Sequence, residues 1–200
     1  PAWPVRALPA FIADTYKLDP IRAWALEAGC VLIFLSADIV ADAQDGDLPE
    51  GLEWPQAVNA GQALLFAGMR ALGAAAPGRP VAEEIGRACL LLAGGQAIDL
   101  GLHWDACPSE DTVMAAVRGK AGASMMLFAR ISAHSAGLPD SAIQDWGNFG
   151  QAFGMAIQLR SDLTDFDDLD SRDFAARKAS LPIAFVRNRH EAAFLAALQS

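Results

Sequence analysis

Proline punctuation constrains this chain more than any other feature. Between the prolines run long stretches rich in Ala and Leu, with no sustained strand-like alternation. In LDPIRAWALEAGCVLIFLSADIVADAQ, Asp19 is placed to cap a helix. Pro20 comes next, at the first helical position, where its missing N–H costs nothing. This predicts a helix from Pro20 to about Ala43. EWPQAVNAGQALLFAGMRALGAAA repeats the device with Pro55. RPVAEEIGRACLLLAGGQAIDLGLHW starts at Pro80 with Glu83 and Glu84 in its first turn, the end where the helix dipole favours anions. Ser109 caps SEDTVMAAVRGKAGASMMLFARISAHSAG, which stops at Gly137. A shorter helix is expected from about Pro9 to Tyr16. LPDSAIQDWGNFGQAFGMAIQLRSDLTDF forms another long one, and a last helix runs from about Leu181 to Leu198.

Helices of about 20 to 28 residues are roughly 30 to 40 Å long. These are apolar around most of their circumference and joined by short loops. The expected architecture is one all-α domain over residues 1–200, a helix bundle with a thick core or a central cavity. Glycines inside the helices (Gly61, Gly94, Gly95, Gly122, Gly150, Gly154) fit close helix packing, or room for a long apolar ligand; the sequence leaves both open.

Composition narrows the function. A net charge of −9 argues against a nucleic-acid surface, because phosphate backbones recruit Lys and Arg. Cys30, Cys89 and Cys107 have neither paired spacing nor even number, and read as reduced thiols of a cytoplasmic protein. No signal peptide and no transmembrane segment are expected. A start at Pro1 without Met leaves room for missing terminal residues. His103, His134 and His190 lack metal-ligand spacing and read as surface or capped residues. Nucleophile-elbow, HExxH and P-loop motifs are absent.

Two acid clusters stand out. SADIVADAQDGD carries Asp38, Asp42, Asp45 and Asp47; RSDLTDFDDLDSRD carries Asp162, Asp165, Asp167, Asp168 and Asp170. Both fall at helix C-termini, where the dipole makes carboxylates unfavourable by a few tenths to about 1 kcal/mol each. Such crowding fits a divalent-cation site or its remnant, since Mg²⁺ takes a couple of carboxylates plus waters and phosphates. It also fits solvated loop entrances.

The order of motifs resembles the trans-isoprenyl diphosphate synthases, the polyprenyl synthetase family. ALEAGCVLIFLSADIVADAQDGD resembles the segment in which Glu-x-x-His precedes the first Asp-rich motif, DDxxD. NAGQALLFAG resembles N-x-G-D-x-L-L. GGQAIDL matches G-Q-x-x-D-L through Gly95, Gln96 and Asp99. GKAGASM resembles K-T-[AG] through Lys120. FGMAIQLRSDLTDF resembles the second Asp-rich helix through Gln158, Asp162 and Asp165. RKASLP resembles K-x-T-L-P through Lys178, Leu181 and Pro182. The resemblance implies an isoprenoid-synthase-type bundle around a cavity. It also implies a reaction in which Mg²⁺, held by the two Asp-rich motifs, draws off an allylic diphosphate before condensation with isopentenyl diphosphate. A dimer is the usual state.

The departures fall on the chemistry. Ala37 and Ala41 stand where the first motif's metal-binding aspartates would be. Asp38 and Asp42 are expected off that face, Asp38 by about 100°. Ser161 replaces the leading aspartate of the second motif. PVRALPAF stands in place of G-K-x-x-R-P, with Val5 for the Lys and Leu8 for the Arg; only Arg6 and Pro9 stay close. Cys30 replaces the His, and the Arg-Arg pair is missing. The expected function is therefore a family member without metal-dependent prenyl transfer and without a cofactor, acting as a non-catalytic subunit or an isoprenoid binder. It would pair with itself or with a related synthase. Its former cavity would be lined by Ala37, Ala41, Gln96, Asp99, Gln158 and Ser161. One alternative is an active Mg²⁺-dependent prenyltransferase using Asp38, Asp42, Asp162 and Asp165 for metal, with Arg6, Lys120 and Lys178 for diphosphate. Another is a helical scaffold without ligand.

Overall fold

A computed structural model describes residues 3–166, 174 and 176–197. Its elements are α1 (Trp3–Thr15), α2 (Pro20–Asp45), α3 (Trp54–Ala75), α4 (Val81–Asp99), a 3₁₀ turn (Trp104–Ala106), α5 (Glu110–Val117), a π-helical turn (Arg118–Gly122), α6 (Ala123–Ser135), α7 (Asp140–Phe166) and α8 (Leu181–Ala197). Among the described residues there is no strand, only one isolated bridge between His103 and Lys178. The all-α reading holds.

The caps act as the sequence implies. The Asp19 carboxylate accepts hydrogen bonds from the backbone N–H groups of Ile21 and Arg22, and Ser109 Oγ accepts one from Thr112. Gly137 ends its helix at φ +72°, a region open to glycine at little cost. Three boundaries differ from expectation. Helix α1 starts at Trp3, so Pro9 lies inside it. The helix expected from Ser109 to Gly137 is three pieces, because a π turn interrupts it. Helix α8 breaks its φ/ψ at His190.

Helix α2 lies along α3, and α6 along α7. The main core joins α1, α2, α3, α4 and α6 through Ile12, Leu26, Ile33, Leu72, Ile85 and Phe128. Complete burial of each such side chain contributes about 1.5–3 kcal/mol. A second, smaller core gathers Leu102, Trp104, Val113, Ile183 and Phe194 where α8 meets α5. Val5 and Leu8 are buried in the main core, which gives a physical reason for their apolar identity.

Most of the helix glycines serve packing. A Cβ on Gly154 would lie 2.2 Å from the Ala121 carbonyl oxygen, and one on Gly95 would lie 2.6 Å from the backbone of Gly119. Gly73, Gly86 and Gly94 are exceptions, with open space. Helix α2 is long and apolar enough, by length and composition alone, to cross a membrane, although the sequence reading expects no such run. Here it is the packing partner of α3.

His134 is buried, contrary to the expectation of a surface or capped residue. Its Nε2 lies 3.5 Å from Glu84, which also takes two hydrogen bonds from Arg130. Those bonds, ahead of the opposing effect of burial, hold the Glu84 carboxyl below its ordinary range.

Candidate functional site

The C-terminal ends of α2, α4 and α7 meet on one side of the bundle. Asp45 ends α2 and lies 3.8 Å from Lys178; Asp99 ends α4 and lies 3.0 Å from the same lysine. Asp162, near the end of α7, lines a pocket with Asp99 and Lys178. The π turn delivers Lys120 to this cluster, where its ammonium donates to Asp99 at 2.5 Å. A wide turn at a charged cluster is a common functional placement. Lys178 reaches it through the bridge to His103 and the Ala179 N–H bond to the Leu102 carbonyl.

Two cavities open here. The larger, about 580 Å³, has walls of Ile33, Phe34, Val40, Leu65, Leu92 and Leu100. Its polar lining is Ser36, Asp38, Asp42, Gln44, Asp45, Gln96, Lys120, Ser124 and Gln158. Its volume falls within the range of about 300–1,000 Å³ usual for small-molecule sites. The smaller, about 50 Å³, is lined by Asp99, Lys120, Gln158, Asp162, Lys178 and Ser180 with apolar neighbours. Lys120 and Gln158 are common to both.

The α2 acids correct one expectation. Ala37, Asp38, Ala41, Asp42 and Asp45 all line the large cavity. Ala37 and Asp42 differ by about 140° around the helix, so the cavity takes in both faces without any rotation of α2. Desolvation by the apolar wall raises the Asp38 carboxyl above its usual range, against the opposing pull of Lys120. Ser161 is exposed and lines neither cavity; the expectation that it faces the former metal site is corrected, because its neighbour Asp162 points inward instead. Asp162 is 5% exposed and accepts a hydrogen bond from Gln158 at 2.8 Å. Asp165 is half-buried and lines neither cavity. Arg6 also lines neither: it is bound to Glu27 at 2.7 Å, and its side chain is 71% exposed. Asp167, Asp168 and Asp170 lie outside the described residues.

Charge in the cluster is locally matched. Burial pushes the Asp99 carboxyl up, but the ammonium groups of Lys178 and Lys120 outweigh it and hold the carboxyl below its ordinary range. Both lysines are therefore engaged by a carboxylate. Asp38, Asp42 and Asp45 line one cavity and Asp99 and Asp162 the other, and Asp45 and Asp99 also face lysines. Among the described residues no three His, Cys, Asp or Glu side chains come together around one point. Sequence reasoning did not find the Asp45–Lys178 contact, although the spacing of Asp38, Asp42 and Asp45 at i, i+4 and i+7 marks them as one face. Nor did it find that the Gln96 amide, which belongs to a residue of the large cavity, has both polar atoms buried without a partner.

Comparisons with known proteins agree with this fold. A decaprenyl diphosphate synthase from Rhodobacter capsulatus superposes with TM-score 0.78 at 21% identity, over 94% of this chain and 63% of that one. A geranylgeranyl pyrophosphate synthase from Lactobacillus brevis gives 0.81 at 18%, over 96% and 66%. A geranylgeranyl pyrophosphate synthetase from Pyrococcus horikoshii gives 0.78 at 25%, over 97% and 66%. The chain thus spans less than two thirds of the length of these structures. No curated protein sequence matches it. The polyprenyl synthetase sequence profile matches residues 50–198, which leaves the first acid cluster outside the match. With about three quarters of its length matched in sequence and the bundle shared with prenyl diphosphate synthases, the chain belongs to the polyprenyl synthetase family.

Proposed function

We propose that this protein keeps the family's apolar cavity without its metal-dependent prenyl transfer, and serves as an isoprenoid binder or a non-catalytic subunit in the cytoplasm. One observation carries the reading: Lys120 and Lys178, lysines at the cavity mouth among the described residues, are both held by Asp99, while Asp38, Asp42 and Asp45 line one cavity and Asp162 the other. Ionising an allylic C–O bond leaves pyrophosphate, whose charge must be neutralised in a dry site by metals and cations. Ala37 and Ala41 cannot ligate a metal, and the side chain of Ser161 turns to solvent. Loss of a single contact of this kind commonly costs about 3–4 kcal/mol in the transition state. Several together reduce turnover to background, although such losses are not additive.

The rival reading, an active prenyltransferase, is favoured by one observation: Asp38, Asp42 and Asp45 line the cavity shared by Lys120 and Gln158. The deciding experiment supplies labelled isopentenyl diphosphate with allylic diphosphates of several lengths in Mg²⁺ or Mn²⁺. No elongated product is expected. Product that disappears in Asp38→Ala and Asp162→Ala overturns the proposal in favour of the enzyme.

A further inference from the structure

We infer that a second copy of this chain completes the large cavity: its α4 lies antiparallel on α4 about a twofold axis at Gly94 and sets Leu90 over the cavity's open lip. The inference concerns the wall of the cavity, so it holds under either reading of the chemistry above.

The lip is the first observation. Helix α2 packs on α1, α3 and α6, and α4 on α3, α5, α6 and the π turn; the cavity lies between α2 and α4. On the α4 side its lining includes Ala93, Ala97 and Leu100. All three are also exposed. The apolar wall therefore runs out of the cavity and onto the surface of α4.

The surface it runs onto is the second. From Ala88 to Ile98, α4 carries no charged side chain. Leu90 is 78% exposed there, and Leu91, Gly94 and Ile98 are exposed beside it. A helix apolar on its outer side as well as its core side is one that is covered on both, and a contiguous exposed apolar patch marks an interaction site. The nearest exposed charges, Glu83 and Arg87, pair with each other about two turns from Gly94, so covering this face buries no charge.

The third observation selects the occupant. Leu90 and Leu91 lie one turn before Gly94, and Ala97 and Ile98 one turn after it. An antiparallel copy with its twofold axis at Gly94 brings Leu90 of the second copy onto Ala97, and Leu91 of the second copy onto Ile98. A large side chain thus lands on a small one at the lip. Gly94 has open space where a Cβ would stand, which lets the two backbones come close at the axis. The area is sufficient. Helix α4 has 19 residues and its neighbour α3, which leaves Phe66 exposed, has 22. At the helical rise and width the two outline about 600 Å², the scale of the roughly 800 Å² per partner in a standard interface.

The test uses the full chain with the exposed Cys107 replaced by serine. Gly94→Cys places a thiol opposite its own copy, and mild oxidation should give a disulfide-linked dimer. Gly86→Cys, an equally open position whose copies lie about 24 Å apart in this arrangement, should give none. Nile red reports the cavity. Leu90→Lys should sediment as a monomer with the helical content of the native chain and bind the dye at least about fivefold more weakly, as for one leucine lost from the wall. Dilution of the native chain until it dissociates should weaken the dye in the same way, which keeps the test valid if the lysine form does not fold. A native chain that stays monomeric at tens of micromolar, or equal cross-linking of the two cysteine variants, overturns the twofold pairing. Cross-linking of Gly94→Cys only to an added related synthase overturns the second copy as occupant. A dimer that dissociates with no change in dye affinity overturns the completed cavity.

Discussion

Replacing Asp99 by Asn tests the charge cluster directly. Asp99 receives Lys120 at 2.5 Å and Lys178 at 3.0 Å, and its side chain is 12% exposed against 28% and 26% for the lysines. Removing one partner of a buried ion pair costs about 3–5 kcal/mol, because the other charge is left uncompensated. Here solvent screens part of both lysines, and Lys178 keeps Asp45 at 3.8 Å. The expected loss at neutral pH is therefore about 2 kcal/mol, which lowers Tm by about 6 °C for a chain of this size. The pH dependence comes from the depressed carboxyl of the folded state. A group with a lowered folded pKa contributes fully above its unfolded value, about 3.9 for Asp, and loses that contribution as pH falls through the folded value. Urea unfolding of both forms should show the full gap at pH 7 and a narrowing gap below about pH 4. Equal stability at pH 7, or a gap that persists unchanged in acid, refutes the reasoning.

Three further outcomes are expected. Gly154→Ala sets a Cβ 2.2 Å from the Ala121 carbonyl oxygen, and because backbone cannot move aside cheaply it should destabilise by about 1–3 kcal/mol in urea. Gly73→Ala, with open space around it, should be neutral or stabilising by up to about 1 kcal/mol. The exposed apolar face of α4 (Leu90, Leu91 and Ile98), flanked by Gly86 and Gly94 with open space, is proposed to pair with a second copy or with a related synthase. Sedimentation should then give a dimer that Leu90→Lys dissociates, and a monomeric native chain that captures no active synthase counts against the pairing.

How much was legible depended on whether the signal was local. Asp19, Pro20, Ser109 and Gly137 act within a turn of themselves, so their roles could be read directly. The motif order placed Gln96, Asp99, Lys120, Gln158, Asp162 and Lys178 at one end of the bundle, and those residues do line its two cavities. Orientation was harder. Helical phase set Asp38 and Asp42 off the face of Ala37 and Ala41, but a cavity wide enough to take in both faces makes that distinction lapse. Ser161 and Asp162 are neighbours with opposite exposures, which motif matching cannot resolve. The position of Arg6 reflects the start of α1 earlier than Pro9: the helix carries its side chain to Glu27 instead of to the lysines. Buried His134 meets Glu84 from a distant part of the chain, and Arg130, one turn before it on the same helix, binds that carboxylate too, a pairing that no local pattern announces.

The π turn at Arg118–Gly122 has a consequence for how this chain tolerates changes of length. A π turn holds one residue more than an α turn, so it retards the angular phase of the downstream helix, α6, by about 100°. Upstream, Val113, Ala116 and Val117 are buried; downstream, α6 is buried almost all round, with Met125, Leu127, Phe128, Ile131 and His134 among its buried residues. The widened turn acts as a phase joint between these two segments. Elsewhere in the bundle a one-residue deletion rotates a buried face out of its core. Here it relaxes the wide turn to an ordinary one and leaves both flanking faces in place. What it takes away is the local bulge that abuts Gly119 on the Gly95 backbone and carries Lys120 to Asp99. The fold should thus survive shortening at this point while the cavity mouth is rebuilt, making these five residues the place where the mouth can change independently of the scaffold.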